Sequence, residues 1–350
     1  EHFTENSEET NLANHGFMLW GNAKNNWLEA SMGYASDLSM TSYLTLGWTQ
    51  PGLVDYMESH DEERMMFKNL NYGAMAPGYD VKDFKTALKR TKLAAAFFFT
   101  VPGPKMIWQF EEVGYDFPRG EGDEKLAEKP IRWDFYDNPD RRNVFNNFKA
   151  LIDLKKKYET FSSNNFTLYQ TGNLKRLNVE HSTMDAVVFG NFDVVSGNIN
   201  GNFTRVGKWY EFFSGDSLDI TSSTQHLSIA LLPGEFRLYT SGRIARPSFL
   251  LGIDSPFIPD DTESIVFDVY PNPFSEKVLI NFTGDDEYLP HSVEIFARDG
   301  TPVNVMAVPA GISEVTWNGK TSGGSDVAGG VYFIRVSAGK RSTVKKIIRL

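Results

Sequence analysis

Tyr56-Met57-Glu58-Ser59-His60-Asp61-Glu62-Glu63-Arg64 is the stretch on which the reading of the fold turns. It places a His-Asp dipeptide just after a short apolar run, with Pro51-Gly52 upstream. A second run follows further on, Phe97-Phe98-Phe99-Thr100-Val101-Pro102-Gly103-Pro104-Lys105-Met106-Ile107-Trp108-Gln109-Phe110-Glu111-Glu112. The two read as neighbouring strands of a parallel barrel, each delivering polar groups at its carboxyl end. Barrel enzymes place their chemistry at that end.

Composition narrows the classes. The chain has 350 residues, enough for two or three domains, and 41% hydrophobic with 23% charged residues predicts packed cores. A net charge of -10 argues against a nucleic-acid partner or an anionic membrane held by a basic surface. Aromatics reach 14%, more than the cores need, which fits stacking on sugar rings. Trp20, Trp27, Tyr34 and Trp48 are candidates for that role, with at least half of them expected in the core. Cysteine is absent, so neither a disulfide framework nor a thiolate metal site is available. No apolar run is long enough for a membrane-spanning helix.

Along the chain, Asn6-Ser7-Glu8-Glu9 can start a helix through Leu12 and Ala13. A strong helix is predicted from Asp83 to Phe99, with Phe84, Leu88 and Ala95 on one face and Lys85, Lys89 and Lys92 on others. Val101-Pro102-Gly103-Pro104 ends it, and Met106-Ile107-Trp108 reads as a strand. Another helix is predicted from Arg141 to Lys157. From Phe161 the texture turns all-β, with alternating runs at Ala186–Phe192, Trp209–Phe213 and Glu235–Tyr239. Pro247, Pro256, Pro259 and Asp260-Asp261 mark a linker. Beyond it, strands are expected at Val278–Phe282, Ser292–Phe296, Glu314–Trp317, Gly330–Val336 and Lys345–Arg349, with turns at Arg298-Asp299-Gly300 and Ser322-Gly323-Gly324. The resulting division is 1–160, 161–242, a linker at 243–264, and 265–350.

Met57-Glu58-Ser59-His60-Asp61 resembles the seventh-strand motif of the α-amylase family (glycoside hydrolase family 13), with Ser59 where Asn is common. Pro102 to Gly114 resembles its eighth-strand motif, with Trp108-Gln109-Phe110-Glu111-Glu112 where Tyr-Tyr-Gly-x-Glu is usual. Glu1-His2-Phe3, Ser7-Glu8-Glu9 and Leu19-Trp20-Gly21-Asn22 resemble the segments after the fifth strand in the Bacteroidetes type of these enzymes. The resemblance implies a partial α/β barrel (TIM, strands 5–8) over residues 1–160, followed by two all-β sandwich domains. It implies a retaining glycoside hydrolase acting on α-glucans such as starch or glycogen. Glu1 would be the acid and Asp61 the supporting carboxylate, the two catalytic residues of this chain. His60, Arg64 and Glu112 would lie on the substrate-binding side, with Arg64 and Glu112 organising the site from behind. The family's nucleophile lies upstream of Glu1, so the chain is expected to be a fragment that is inactive alone. Retaining hydrolysis needs two carboxyls about 5 Å apart. No cofactor is visible, and calcium belongs to the expected full-length enzyme. A branching or transglycosylating enzyme and a non-catalytic glucan-binding surface protein remain open; product analysis and the missing strand four would separate them.

The last stretch carries its own resemblance. Val269-Tyr270-Pro271-Asn272-Pro273-Phe274, Val293-Glu294-Ile295-Phe296, Trp317-Asn318-Gly319, Gly329-Gly330-Val331-Tyr332-Phe333 and the basic end Lys345-Lys346-Ile347-Ile348-Arg349-Leu350 look like the sorting domain of type IX secretion cargo. That implies the type IX machinery as partner and a secreted or outer-membrane-attached location. The Pro-Asn-Pro turn is expected to start the first strand of this domain, and the Lys/Arg end to offer charge to a receptor.

Overall fold

The computed structural model describes residues 6–250, 266–283, 292–298, 301–309, 311–338 and 341–350. The chain divides into two compact units, Glu1–Phe257 and Ile258–Leu350.

The first unit opens with α1 (Asn6–Asn14), β1 (Leu19–Trp20), α2 (Lys24–Met32), β2 (Leu53–Val54) and α3 (Met65–Tyr72). A small hairpin of β3 (Met75–Ala76) and β4 (Tyr79–Asp80) precedes α4 (Phe84–Thr100) and α5 (Pro139–Lys157). The two long helices begin where local chemistry tells them to. Asp83 caps α4 by accepting the Thr86 N–H at 2.9 Å, and Asn138 caps α5 ahead of Pro139 in its first turn. A side-chain cap satisfies a donor that the helix itself leaves free.

β1 and β2 pair in parallel, Leu19 opposite Leu53 and Trp20 opposite Val54. A parallel bridge from Asp55 to Lys105 adds a third extended segment. The expected strand Met106-Ile107-Trp108 is not formed; the pairing is this single bridge at Lys105, just before it. Beyond Met106 the chain turns through Phe110, whose φ of 65° is left-handed, into a 3-10 turn at Glu111–Val113. Gly103 makes the approach possible: its φ is +117° and a Cβ there would lie 3.3 Å from Leu53 O.

Eight strands complete this unit: β5 (Phe166–Thr171), β6 (Leu174–Val179), β7 (Ala186–Asn191), β8 (Gly197–Asn200), β9 (Gly207–Glu211), β10 (Ser217–Ile220), β11 (Ser228–Leu231) and β12 (Phe236–Thr240). Six form one open sheet in the order β10-β9-β12-β7-β6-β5, and β11 pairs with β8. β7 is buried along its whole length because both faces of the sheet are covered. Ala186 and Val188 join the core around α4 and α5. Val187 and Phe189 join a second cluster with Ile199, Trp209, Ile229 and Leu231. That explains why Ala186–Phe189 reads as a continuous apolar run rather than an alternation.

The Phe97-Phe98-Phe99 triplet ties the unit together. Successive helical side chains point about 100° apart. Phe97 therefore meets Phe192 after β7, Phe98 meets Trp27 of α2, and Phe99 meets Phe148 of α5. Burying each ring contributes roughly 1.5–3 kcal/mol. α4 lies so close to β7 that a Cβ on Gly190 would sit 2.4 Å from Phe97 Cε2. Arg90, fully buried, donates to the carbonyls of Ala30 and Ser31 at the end of α2 and to those of Phe192 and Asp193. Part of the expected linker also packs here: Leu250 is buried in the main core.

The second unit contains β13 (Val266–Tyr270), β14 (Val278–Thr283), β15 (Ser292–Ala297), β16 (Pro302–Ala307), β17 (Glu314–Trp317), β18 (Gly330–Ala338) and β19 (Arg341–Arg349). They form two open antiparallel sheets, β13-β14-β17 and β16-β15-β18-β19. Both contribute to one apolar core, which includes Phe267, Ile280, Trp317, Ile295, Ile334 and Ile347. The Pro-Asn-Pro turn follows the first strand instead of starting it. Val266–Tyr270 pairs with β14 before the turn, and the turn then docks on β19: Asn272 Nδ2 donates to Lys346 O at 3.0 Å, and the Ile348 N–H donates to Asn272 Oδ1 at 2.9 Å.

The basic end is also used differently from expectation. Arg349 donates to the carbonyls of Gly319 at 2.7 Å and of Val327. Lys345 pairs with Asp268 at 2.9 Å. Only Lys346 of the three stands exposed. Arg349 thereby satisfies two carbonyls of the loop between β17 and β18, on either side of the Lys320–Asp326 bridge.

Candidate functional site

Parallel pairing fixes where the polar loops emerge. The Leu19 N–H donates to Gly52 O at 2.9 Å, Gly21 N–H to Val54 O at 2.8 Å, and Met106 N–H to Asp55 O at 3.0 Å. The three segments therefore run side by side and release their following loops at one end. Asp55, at the end of β2, is buried, with Trp27 Nε1 at 3.3 and 3.4 Å from its oxygens and Lys105 Nζ at 3.6 Å. Burial raises its carboxyl above the ordinary range, with the Lys105 charge acting against that.

The loop after β2 presents His60 and Asp61 outward, with side chains 72% and 73% exposed. Their Nε2 and Oδ2 atoms are 3.5 Å apart. The His60 ring lies 5.8 Å from the Trp108 ring, centroid to centroid, which joins this loop to the one after Lys105. Local bonds set the loop's shape. The Asp61 N–H donates to Ser59 Oγ at 3.2 Å, and the Ser59 hydroxyl donates to Glu62, which also pairs with Lys24. Ser59 thus holds the turn by accepting from the backbone two residues on. Arg119 closes the loop from outside, donating to Asp61 O.

Arg64 lies behind the rim, 7% exposed. Its Nη1 donates to Glu58 Oε2 at 2.7 Å and its Nη2 to Gln109 O at 3.0 Å. The guanidinium lies 4.7 Å from the centroid of the Tyr115 ring. Glu58 completes the brace by accepting the Met65 N–H at 2.7 Å. Arg64 therefore joins two strand-end loops, and both of these donor nitrogens are spent on protein groups. Glu112 is half-buried, and burial raises its carboxyl. The nearby guanidinium groups serve other partners: Arg132 pairs with Asp134, and Arg119 Nη1 donates to Asp61 O. Glu1 lies outside the described residues.

Of the four aromatic candidates, Trp27 and Trp48 are buried, while Trp20 is 67% and Tyr34 43% exposed. Trp20 stands edge-on to Tyr56 at 5.9 Å. The structure adds two residues that the sequence reading left out, Glu58 and Glu111. The available signal was a carboxylate set within an apolar run, Tyr56-Met57-Glu58, where solvent exposure is not expected. Among the described residues no three His, Asp or Glu side chains gather as a metal-binding group, and no helix is long and apolar enough to cross a membrane.

Comparison with known proteins bears first on the end of the chain. Residues 268–349 match the family profile of the secretion system C-terminal sorting domain. This segment is a type IX sorting domain. The protein is accordingly exported to a secreted or cell-surface location. No curated protein sequence matches the chain. Solved structures that resemble part of it are α-amylase-family enzymes. The α-amylase of Geobacillus thermoleovorans, complexed with acarbose, aligns with a TM-score of 0.48 at 14% identity, over 63% of this chain and 47% of its own. The γ-CGTase of alkalophilic Bacillus clarkii aligns with a TM-score of 0.43 at 17% identity, over 89% and 41%. The pullulanase of Bacillus acidopullulyticus gives 0.47 at 16%, over 64% and 30%. The chain thus spans less than half the length of each of these three enzymes.

Proposed function

We propose that the protein is an exported enzyme of the α-amylase type that acts on α-glucans by a retaining mechanism. The observation that carries this reading is the exposed His60–Asp61 pair at the carboxyl end of a parallel strand, held in place by the Arg64 tie to the neighbouring loop. In this reading residues 1–160 supply strands 5–8 of a barrel, 161–242 a β-sandwich, 243–264 a linker and 265–350 a sorting sandwich.

Asp61 accepts hydrogen bonds from sugar hydroxyls and places negative charge beside the oxocarbenium-like centre as it forms. His60 supplies a second hydrogen bond. Trp108, half-buried beside it, offers an aromatic surface to the sugar's C–H face. Arg64 works from behind, and Glu112 stands at the edge of the same loop. Glu1 takes the role of acid through the motif resemblance, paired with a nucleophile on another part of the whole enzyme. Calcium enters no step that these residues perform.

Calorimetric titration with maltoheptaose tests the reading. Asp61→Asn and His60→Ala are each expected to weaken binding at least about tenfold, or about 1.4 kcal/mol, with unchanged circular dichroism. No binding by the parent protein, or equal binding by all three, overturns it. Products made by the whole protein then separate hydrolysis from transfer: shortened chains against new α-1,6 links.

A further inference from the structure

Beneath the His60–Asp61 rim lies an arrangement of charge that the proposed chemistry leaves unused. Glu58 and Glu111 are 2% and 1% exposed. Glu58 is satisfied by Arg64 and the Met65 N–H. Glu111 is not: its Oε2 accepts the Trp108 N–H at 3.0 Å, while its Oε1 is buried without a hydrogen-bond partner among the described residues.

The surrounding charges offset the burial of Glu111 only in part, through Arg64. Arg64 is committed to Glu58 and to Gln109 O, with the Tyr115 ring beneath its guanidinium. Glu112 adds negative potential from the next position. From α5, Arg141 spends its donors on Val113 O, Gly114 O and Asp116. Burial first, and the Glu58 charge second, push the Glu111 carboxyl well above the ordinary range. An ionised oxygen buried without a partner is costly, and a neutral carboxyl much less so.

We propose that Glu111 is a positioning residue of the candidate site: through the Trp108 N–H it fixes the indole against the His60 ring. The inference rests on the reading of His60–Asp61 as the sugar-binding rim. Burial and the Glu58 charge hold the carboxyl toward its neutral form, while the Trp108 N–H and the Arg64 charge favour the ionised one. Either form can accept the Trp108 N–H through Oε2, so the positioning rests on that bond and not on the proton.

The test follows the His60 ring resonance by NMR in the full 350-residue chain, identified as the signal lost in His60→Gln. Trp108 shifts that signal through its ring current. Glu111→Gln keeps an oxygen that can accept the Trp108 N–H, and is expected to leave the signal in place and to retain maltoheptaose affinity. Glu111→Ala is expected to move the signal toward that of an unstacked histidine and to weaken maltoheptaose about tenfold. The proposal is overturned if Glu111→Ala leaves the signal in place, or if Glu111→Gln moves it as far as Glu111→Ala does. Should Glu111→Ala fail to fold, Glu111→Leu, which fills the space without an acceptor, takes its place with the same two outcomes. Should maltoheptaose bind none of the proteins, the glucan reading falls, and the His60 signal still decides the role of Glu111.

Discussion

The two units bury different things. In the first, ionisable groups lie inside the protein: Asp55, Glu58, Arg64, Arg90, Glu111 and Glu211 are each at most 7% exposed. Among the described residues, all the buried polar and charged side chains belong to this unit. The second unit is built on an apolar core that includes Phe267, Ile280, Ile295, Trp317 and Ile334. Burying a charge lowers stability unless a partner offsets the lost hydration. The first unit carries that cost at its strand-end loops, through Asp55, Glu58 and Glu111, and also inside α4 and β9, through Arg90 and Glu211. Among the described residues the sorting unit buries no such groups, and its ion pairs and side-chain bonds lie outside its apolar core.

The largest expected effect attacks the ionic side of this contrast. Arg64→Ala leaves the Glu58 carboxylate buried with one backbone donor, and should cost the first unit about 3–5 kcal/mol. Scanning calorimetry of the whole chain should show only the first unit's transition move. If both transitions shift together, the two units do not unfold independently. On the apolar side, Ile295→Ala opens a cavity and should cost the second unit about 2–5 kcal/mol, with the same loss at every pH.

A smaller, graded effect separates the units by pH. Burial lowers the Lys155 amine to about 7 and the Lys175 amine to about 8, from 10.5. Lys155 has only weak support, from Val101 O and Phe161 O at 3.3 Å each. Below the lowered values both folded and unfolded chains hold the protons. Between them and 10.5 the unfolded chain holds more, so the first unit's stability rises with pH over that window. Lys155→Met should raise stability at pH 7 and lose its advantage by pH 10.5, as read from urea midpoints. The Glu111 carboxyl acts in the opposite sense over its own window, because its folded value is raised. The second unit's transition should stay flat through both.

Two finer changes sharpen the picture. Asp83→Ala removes the α4 cap and should cost about 1 kcal/mol in a denaturant titration. Asp61→Asn touches only the exposed rim, so stability should stay within about 0.5 kcal/mol of the parent even as sugar binding falls.

Legibility followed the range of the interaction. α4 and α5 could be read closely because Asp83, Asn138 and the apolar spacing act within a few residues. The five strands expected in the second unit are present, while Val266–Tyr270 and Pro302–Ala307 escaped notice. One runs into a proline and the other begins with one, and Pro302 is tolerated because β16 is an edge strand. His60 and Asp61 were legible as a rim because polar residues follow a short apolar strand. That Arg64 organises the site from behind is legible in the motif, but its partner Gln109 O, 45 residues away, is not. The same holds for Arg349, which meets Gly319 O across 30 residues.

By itself, then, the sequence determined where helices start, which runs are apolar and which motifs stand at each end of the chain. The tertiary structure alone decided which charges are solvated and which are enclosed. It set Gly190 under Phe97, Arg90 among four carbonyls, and Glu111 beside Glu58 with one arginine between two carboxyls. Periodicity and capping depend on near neighbours in the chain. Desolvation depends on whatever the fold brings close, and no local pattern encodes it.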